Sequence, residues 1–145
     1  MRAITPILFA AAILLMAVSI SFAQADDNAG PIKSSPAYAE VLLRKTELQA
    51  DLESLIADYT EANPKIIDLR FELAVLNKSL ERLYAVRPTE TGKLTLALGK
   101  LLVKKAALDT DLNRLQRSYN KEHQEVRRAK RKVEIFEASI NEVLR

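Results

Sequence analysis

The sequence predicts an all-α fold, a long antiparallel two-helix coiled-coil hairpin that follows an N-terminal signal peptide. Three observations lead there: an apolar N-terminal run, a seven-residue apolar repeat through the rest of the chain, and a short proline- and glycine-bearing loop near its middle. The chain has 145 residues, so it forms one domain at most. It contains no cysteine, which excludes a disulfide framework, a thiolate metal site and a lipidated cysteine. His123 is its one histidine, so histidine-rich metal clusters are excluded and a histidine-based triad is disfavoured. We therefore expect no enzyme, no cofactor and no metal.

Residues 1–25 have the layout of a secretory signal peptide. Arg2 gives a positive start, residues 7–20 are apolar apart from Ser19, and Ala23 and Ala25 put small residues before a cleavage point. An uncleaved anchor is the alternative, since residues 4–23 are about long enough to span a bilayer. Either way the remainder is expected outside the cytoplasm, periplasmic or secreted if cleaved and membrane-anchored if not. Residues 26–36 read as a flexible linker, broken up by Gly30, Pro31, Ser34, Ser35 and Pro36.

Helix one is expected over residues 37–86. Leu48, Leu52, Leu55, Tyr59, Ala62, Ile66, Leu69, Leu73, Leu76, Leu80 and Leu83 recur in alternating steps of four and three, the spacing of a coiled-coil seam. Helix two, residues 93–145, repeats it from Leu94 to Val143, interrupted only by Lys105 and Glu122. The loop between them, residues 87–92, is short enough to make the helices antiparallel neighbours. Folding there sets Leu80 against Leu101, Leu73 against Leu108, Leu55 against Val126 and Val41 against Ile140. It also sets Ala62 against Tyr119, and Tyr59 within reach of Glu122. Both tyrosines are then core residues.

Pro64 tests this scheme. Asn63-Pro64 has the form of a helix cap and first residue, which would give three or four helices. The apolar phase nevertheless crosses Pro64 unshifted, and Pro64 takes a position facing away from the partner. Helix one is therefore read as kinked but continuous, and residues 119–125, which lack proline, as unbroken helix.

The two segments also align at an offset of 60 residues. Leu48/Leu108, Asp51/Asp111, Leu52/Leu112, Leu55/Leu115 and Tyr59/Tyr119 are identical pairs, which favours an internal repeat. Their charges differ: residues 26–92 carry 8 Lys/Arg and 12 Asp/Glu, net −4, and residues 93–145 carry 13 and 7, net +6. Opposite signs fit segments that lie against each other, for instance Asp51 near Lys132.

The stretch from Tyr59 to Ile66, with Tyr59, Asn63 and Pro64, resembles the periplasmic coiled coil of the polysaccharide chain-length determinants, the co-polymerases of envelope and exopolysaccharide export. That family carries a Tyr-x3-His-Pro-x-Val-like stretch within its leucine-rich helices. Here Asn63 stands in place of the histidine; in the second segment Tyr119 and His123 match but Gln124 replaces the proline. The family's second transmembrane helix and α/β domain find no counterpart. The resemblance implies an envelope setting and an accessory role in polysaccharide export, not co-polymerase activity. A looser likeness is to periplasmic holdase chaperones of the Skp type, without their β-rich body.

The candidate contact site is the basic run Arg127, Arg128, Lys130, Arg131 and Lys132. Its expected ligands are anionic polysaccharide, lipid headgroups or an acidic protein; the bland reading is a solvated helix face. The apolar residues off the seam, Ile56, Ile67, Phe71, Val75, Leu102, Val103 and Ile135, call for a further packing surface, self-association or a partner's coiled coil. Nucleic acid is not expected as a partner of an exported chain.

Overall fold

The computed structural model describes residues 29–145, and every regular element among them is helical. The elements are α1 (Ala29–Lys33), α2 (Pro36–Ile56), α3 (Pro64–Tyr84), a 3-10 helix (Pro88–Lys93), α4 (Leu96–Ser118) and α5 (Gln124–Leu144). The expected signal peptide lies outside the described residues. No described helix is long and apolar enough to cross a membrane.

The all-α class holds, but the two long helices do not. Each expected helix is divided near its tyrosine. Ala57 to Asn63 leave the helix, and Pro64 opens α3 as its first residue. Asn63 caps it, its Oδ1 accepting from the Lys65 backbone N–H at 2.8 Å. Proline is cheap at that position, because its missing N–H belongs to an end where N–H groups lack partners anyway. The second division lacks proline: His123 caps α5, its Nδ1 accepting from the Glu125 N–H at 3.3 Å. Unbroken helix over residues 119–125 is thus also corrected. The apolar phase gave no warning, because the interruption between Ile56 and Pro64 is seven residues long, one full repeat.

The expected flexible linker is corrected as well. Residues 29–33 form α1, and Ile32 and Ser35 are buried. Ser35 starts α2 by accepting from the Tyr38 N–H at 3.2 Å, with Pro36 next.

Divided at the tyrosines, the chain makes two antiparallel hairpins, α2/α3 and α4/α5. They pack through α4, which lies against both α2 and α3. Helices α2 and α4 run parallel and come close at their starts, where a side-chain carbon added to Gly99 would sit 2.9 Å from the Ala37 Cα. The tightest packing surrounds that end, with Val41, Leu76, Leu83, Leu94, Leu98, Leu102, Ala106 and Ile140 all buried.

The antiparallel approach of α3 and α4 survives about the central turn, where Pro88–Lys93 form the 3-10 helix, but the expected register is corrected: α4 turns Leu98, Leu102 and Ala106 inward, and Leu108, expected against Leu73, lies on the side of α5. Asp68 on α3 accepts from Arg114 at 2.8 Å and from Arg117. Arg87 grips Glu90 with two hydrogen bonds at 2.9 and 3.0 Å, and Lys93 adds a third at 2.9 Å. These cations hold the Glu90 carboxyl down at about 2. Lys93 also donates to the Leu144 carbonyl at 3.2 Å, tying the end of α5 to the turn.

The hairpins repeat each other at the anticipated offset of 60. Helix α3 starts at Pro64 and ends at Tyr84; α5 starts at Gln124 and ends at Leu144. The Tyr59 N–H donates to the Leu55 carbonyl at 2.9 Å, and that of Tyr119 to Leu115 at 2.8 Å. Asn63 donates to Thr60 and His123 to Asn120, at 3.0 and 3.1 Å. The hydroxyls of Ser35 and Thr95, one repeat apart, cap α2 and α4.

Candidate functional site

All five cations of the basic run lie exposed on α5. Their ion pairs stay within that helix: Arg128 meets Glu125 at 3.2 Å and Lys130 meets Glu134 at 3.8 Å. The expected neighbour of Lys132, Asp51, appears in no ion pair among the described residues. The opposite charges of the two segments do meet, but at Asp68 with Arg114 and Arg117.

Helical spacing separates the cations. Arg128, Arg131 and Lys132 border an open groove between α4 and α5, of about 540 Å³. Its floor is apolar, from Leu108, Leu115, Ala129 and Ile135. Arg114 adds a fourth cation, and Asp111 and Glu125 are its acidic groups. Arg127 lies outside this groove, lining a smaller hollow with Gln124, Arg128 and Arg131. Lys130 borders neither.

The groove floor was absent from the sequence-based site. Leu108, Leu115 and Ala129 belong to the apolar seam, which periodicity assigns to the core. In the structure α5 packs along α4 without closing over them, so they are only half-buried, and Ile135 is exposed. Of the other off-seam residues, Leu102 is buried by the neighbouring hairpin within the same chain, and Ile56 and Ile67 are exposed.

A second groove, among α3, α4 and α5, sets a charged network beside the apolar Phe71, Val75 and Leu102. Arg82 donates to Glu137 at 2.9 Å and also to Asn141. Lys105 bridges Asp109 at 2.8 Å and Glu137 at 3.4 Å. Burial pushes the Glu137 carboxyl up, but Arg82 and Lys105 outweigh it and hold it below its ordinary value. This network explains Lys105, the cation in an apolar seam: it joins the helices by charge.

The motif tyrosines are not core residues, correcting the seam assignment. Tyr59 and Tyr119 are 55% and 47% exposed, in the loops at one shared end of the bundle. Tyr119 stacks on His123, ring centres 4.2 Å apart. Leaving the helices there removes the expected pairings of Ala62 with Tyr119 and Tyr59 with Glu122. The Tyr-x3-Asn-Pro stretch builds a reversal: the tyrosine N–H folds back on a carbonyl in the last turn of one helix and the asparagine caps the next.

Among the described residues no three His, Asp or Glu side chains gather as a metal site would require. No family model, curated protein or solved structure matches the chain.

Proposed function

We propose that the chain is a non-catalytic interaction protein of the cell envelope, whose working surface is the open α4/α5 groove. The observation that carries this reading is the groove's make-up, an apolar floor bordered by Arg114, Arg128, Arg131 and Lys132. An apolar floor rewards burial of a partner's apolar side chains, and the cations select an acidic partner and set its orientation. The envelope setting rests on the signal-like N-terminus, and an accessory role in polysaccharide export on the Tyr59, Asn63 and Pro64 likeness. Arg127 and Lys130, outside the groove, are available to anionic polysaccharide or lipid headgroups.

The rival reading is a holdase, favoured by the exposed apolar side chains Leu43, Ile56 and Ile135. One comparison separates them. Export components that co-purify with the wild type, and are lost with Arg128→Gln and Lys132→Gln, support the accessory reading. Stoichiometric suppression of aggregation of an unfolded outer-membrane protein, unaffected by those changes, supports the holdase instead.

A further inference from the structure

The groove has a covered counterpart in the same chain. Ile66 and Leu80 and their equivalents Val126 and Ile140 are buried alike, but four other positions that α2 and α3 bury are left open when 60 is added. Leu48, Asp68, Leu69 and Glu72 are buried in the hairpin on which α4 packs, Asp68 directly by Arg114 and Arg117 of α4. Their equivalents Leu108, Arg128, Ala129 and Lys132 line the groove. The relation also runs the other way. Helix α4 buries Leu102, Ala106 and Thr110 against the first hairpin, whereas the equivalent positions of α2, Leu42, Thr46 and Ala50, are exposed. Leu102 is 2% exposed and Leu42 40%, with Leu43 beside it at 58%. The chain therefore has two unsatisfied ends: a groove that lacks its α4, and a helix that lacks its groove.

From this we infer that the groove takes α2 of a second copy of the chain, so that copies stack head to tail and continue the internal repeat. This deepens the proposed function by naming the partner as the chain itself. Stacked helical repeats each bury their apolar face on a neighbour, and an array of only two leaves an uncovered face at each end. Charge supports the same pairing. In the covered interface Asp68 of the groove holds Arg114 and Arg117 of the incoming helix. In the open one the groove's sign is reversed, with Arg128 and Lys132, while Ser54 and Ala57 stand at the positions equivalent to Arg114 and Arg117 and the acidic Glu53 and Asp58 lie one residue to either side of them. Ala39 of the incoming helix stands where Gly99 makes its close approach, so this contact is wider than the one within the chain. Joining unlike surfaces generates an open chain of copies or a ring, not a two-fold pair.

The test uses two variants, each damaging one end only. Arg128→Glu with Lys132→Glu spoils the groove; Leu42→Glu with Leu43→Glu spoils the α2 stripe. All four side chains are exposed in the single chain, so unchanged helix content and melting temperature check that each variant folds. Protein purified in the form that expressing cells leave it is measured by sedimentation equilibrium over tens to hundreds of micromolar. The wild type is expected to grow beyond a dimer with concentration. Each variant alone is expected to stay monomeric, and the two mixed should form a one-to-one dimer that grows no further, since one intact groove meets one intact stripe. A wild type that stays monomeric, or stops at a dimer that mixing does not restore, overturns the head-to-tail pairing. The co-purification comparison above is separate, and its failure alone sinks the accessory role.

Discussion

The two hairpins share a backbone plan and differ in what covers them. In the first, α2 and α3 enclose Leu48 and Leu69 beneath α4, and the charged groups on that face, Asp68 and Glu72, are buried and paired. In the second, α5 rests chiefly along α4, meeting α3 where Arg82 reaches Glu137 and Asn141, and the same plan leaves half-buried leucines and unburied cations. Periodicity sets which side chains share a face, but burial needs a partner for that face. A repeat shows this cleanly, because sequence position is matched while environment is not.

The largest expected contrast comes from truncating equivalent leucines. Leu48→Ala should cost about 2–5 kcal/mol, the range for a fully buried leucine. Leu108→Ala, at the equivalent half-buried site, should cost less than half as much. Urea unfolding of the two variants measures both, and equal costs would mean that the second groove is as closed as the first.

Gly99 and Gly92 provide the next contrast. A methyl group at Gly99 meets the Glu40 Cβ at 2.8 Å and Ala37 backbone at 2.9 Å, whereas at Gly92 nothing lies within 4 Å. Gly99→Ala should cost about 1–3 kcal/mol, as for overpacking, by wedging α2 from α4. Gly92→Ala should leave the melting temperature nearly unchanged.

The buried charges come third. Asp68→Asn removes the anion shared by Arg114 and Arg117 and should cost about 1.5–3 kcal/mol. Its counterpart Arg128→Gln, exposed, should stay within ~0.5 kcal/mol. A pH scan extends the comparison to the turn. Because the Glu90 carboxyl sits lower in the folded chain than its ordinary 4.5, its contribution is complete above that value and is lost as pH falls toward about 2. Glu90→Gln should therefore flatten the acid limb of the melting-temperature profile. An identical limb in the variant would place the acid sensitivity elsewhere, with Glu137 the next group to examine, because it is shifted the same way.

The smallest effect is at the helix caps. Asn63 accepts at 2.8 Å and His123 at 3.3 Å, and asparagine is among the best capping residues. His123→Asn with Gln124→Pro copies the first reversal into the second. It should raise stability by roughly 0.5–1.5 kcal/mol, from the better cap and the reduced freedom of the unfolded chain.

Much of the local design was legible in the residues. The seam gave the helical class, the offset of 60 gave the repeat, and Pro88 and Gly92 marked the central turn. The first reversal was missed for a geometric reason. A seven-residue loop preserves a seven-residue phase, so the leucines beyond Asn63 keep their register although the chain has turned back. The cap signature at Asn63-Pro64 was present and was outweighed by that continuity. At His123 no single residue signals a cap, although its alignment with Asn63 would have. The cations of the site were visible as a run, but its floor was not. Leu108, Leu115 and Ala129 resemble any other seam residues, and their exposure depends on how α5 sits, which no local pattern encodes.

The chain turns back at both tyrosine loops to make two equivalent hairpins. The chain has no cysteine of its own, so pairs introduced by Arg44→Cys with Glu72→Cys, and by Lys104→Cys with Lys132→Cys, carry spin labels at defined sites. In the structure Arg44 and Glu72 touch, with Nε donating to Oε1 at 3.0 Å, and the second pair lies one repeat further on. Electron–electron distance measurements should give similar, short separations for both pairs. Two continuous helices would instead hold each pair ~42 Å apart, at about 1.5 Å per residue. A distribution centred near that length for either pair would contradict the hairpin fold and the groove built on it.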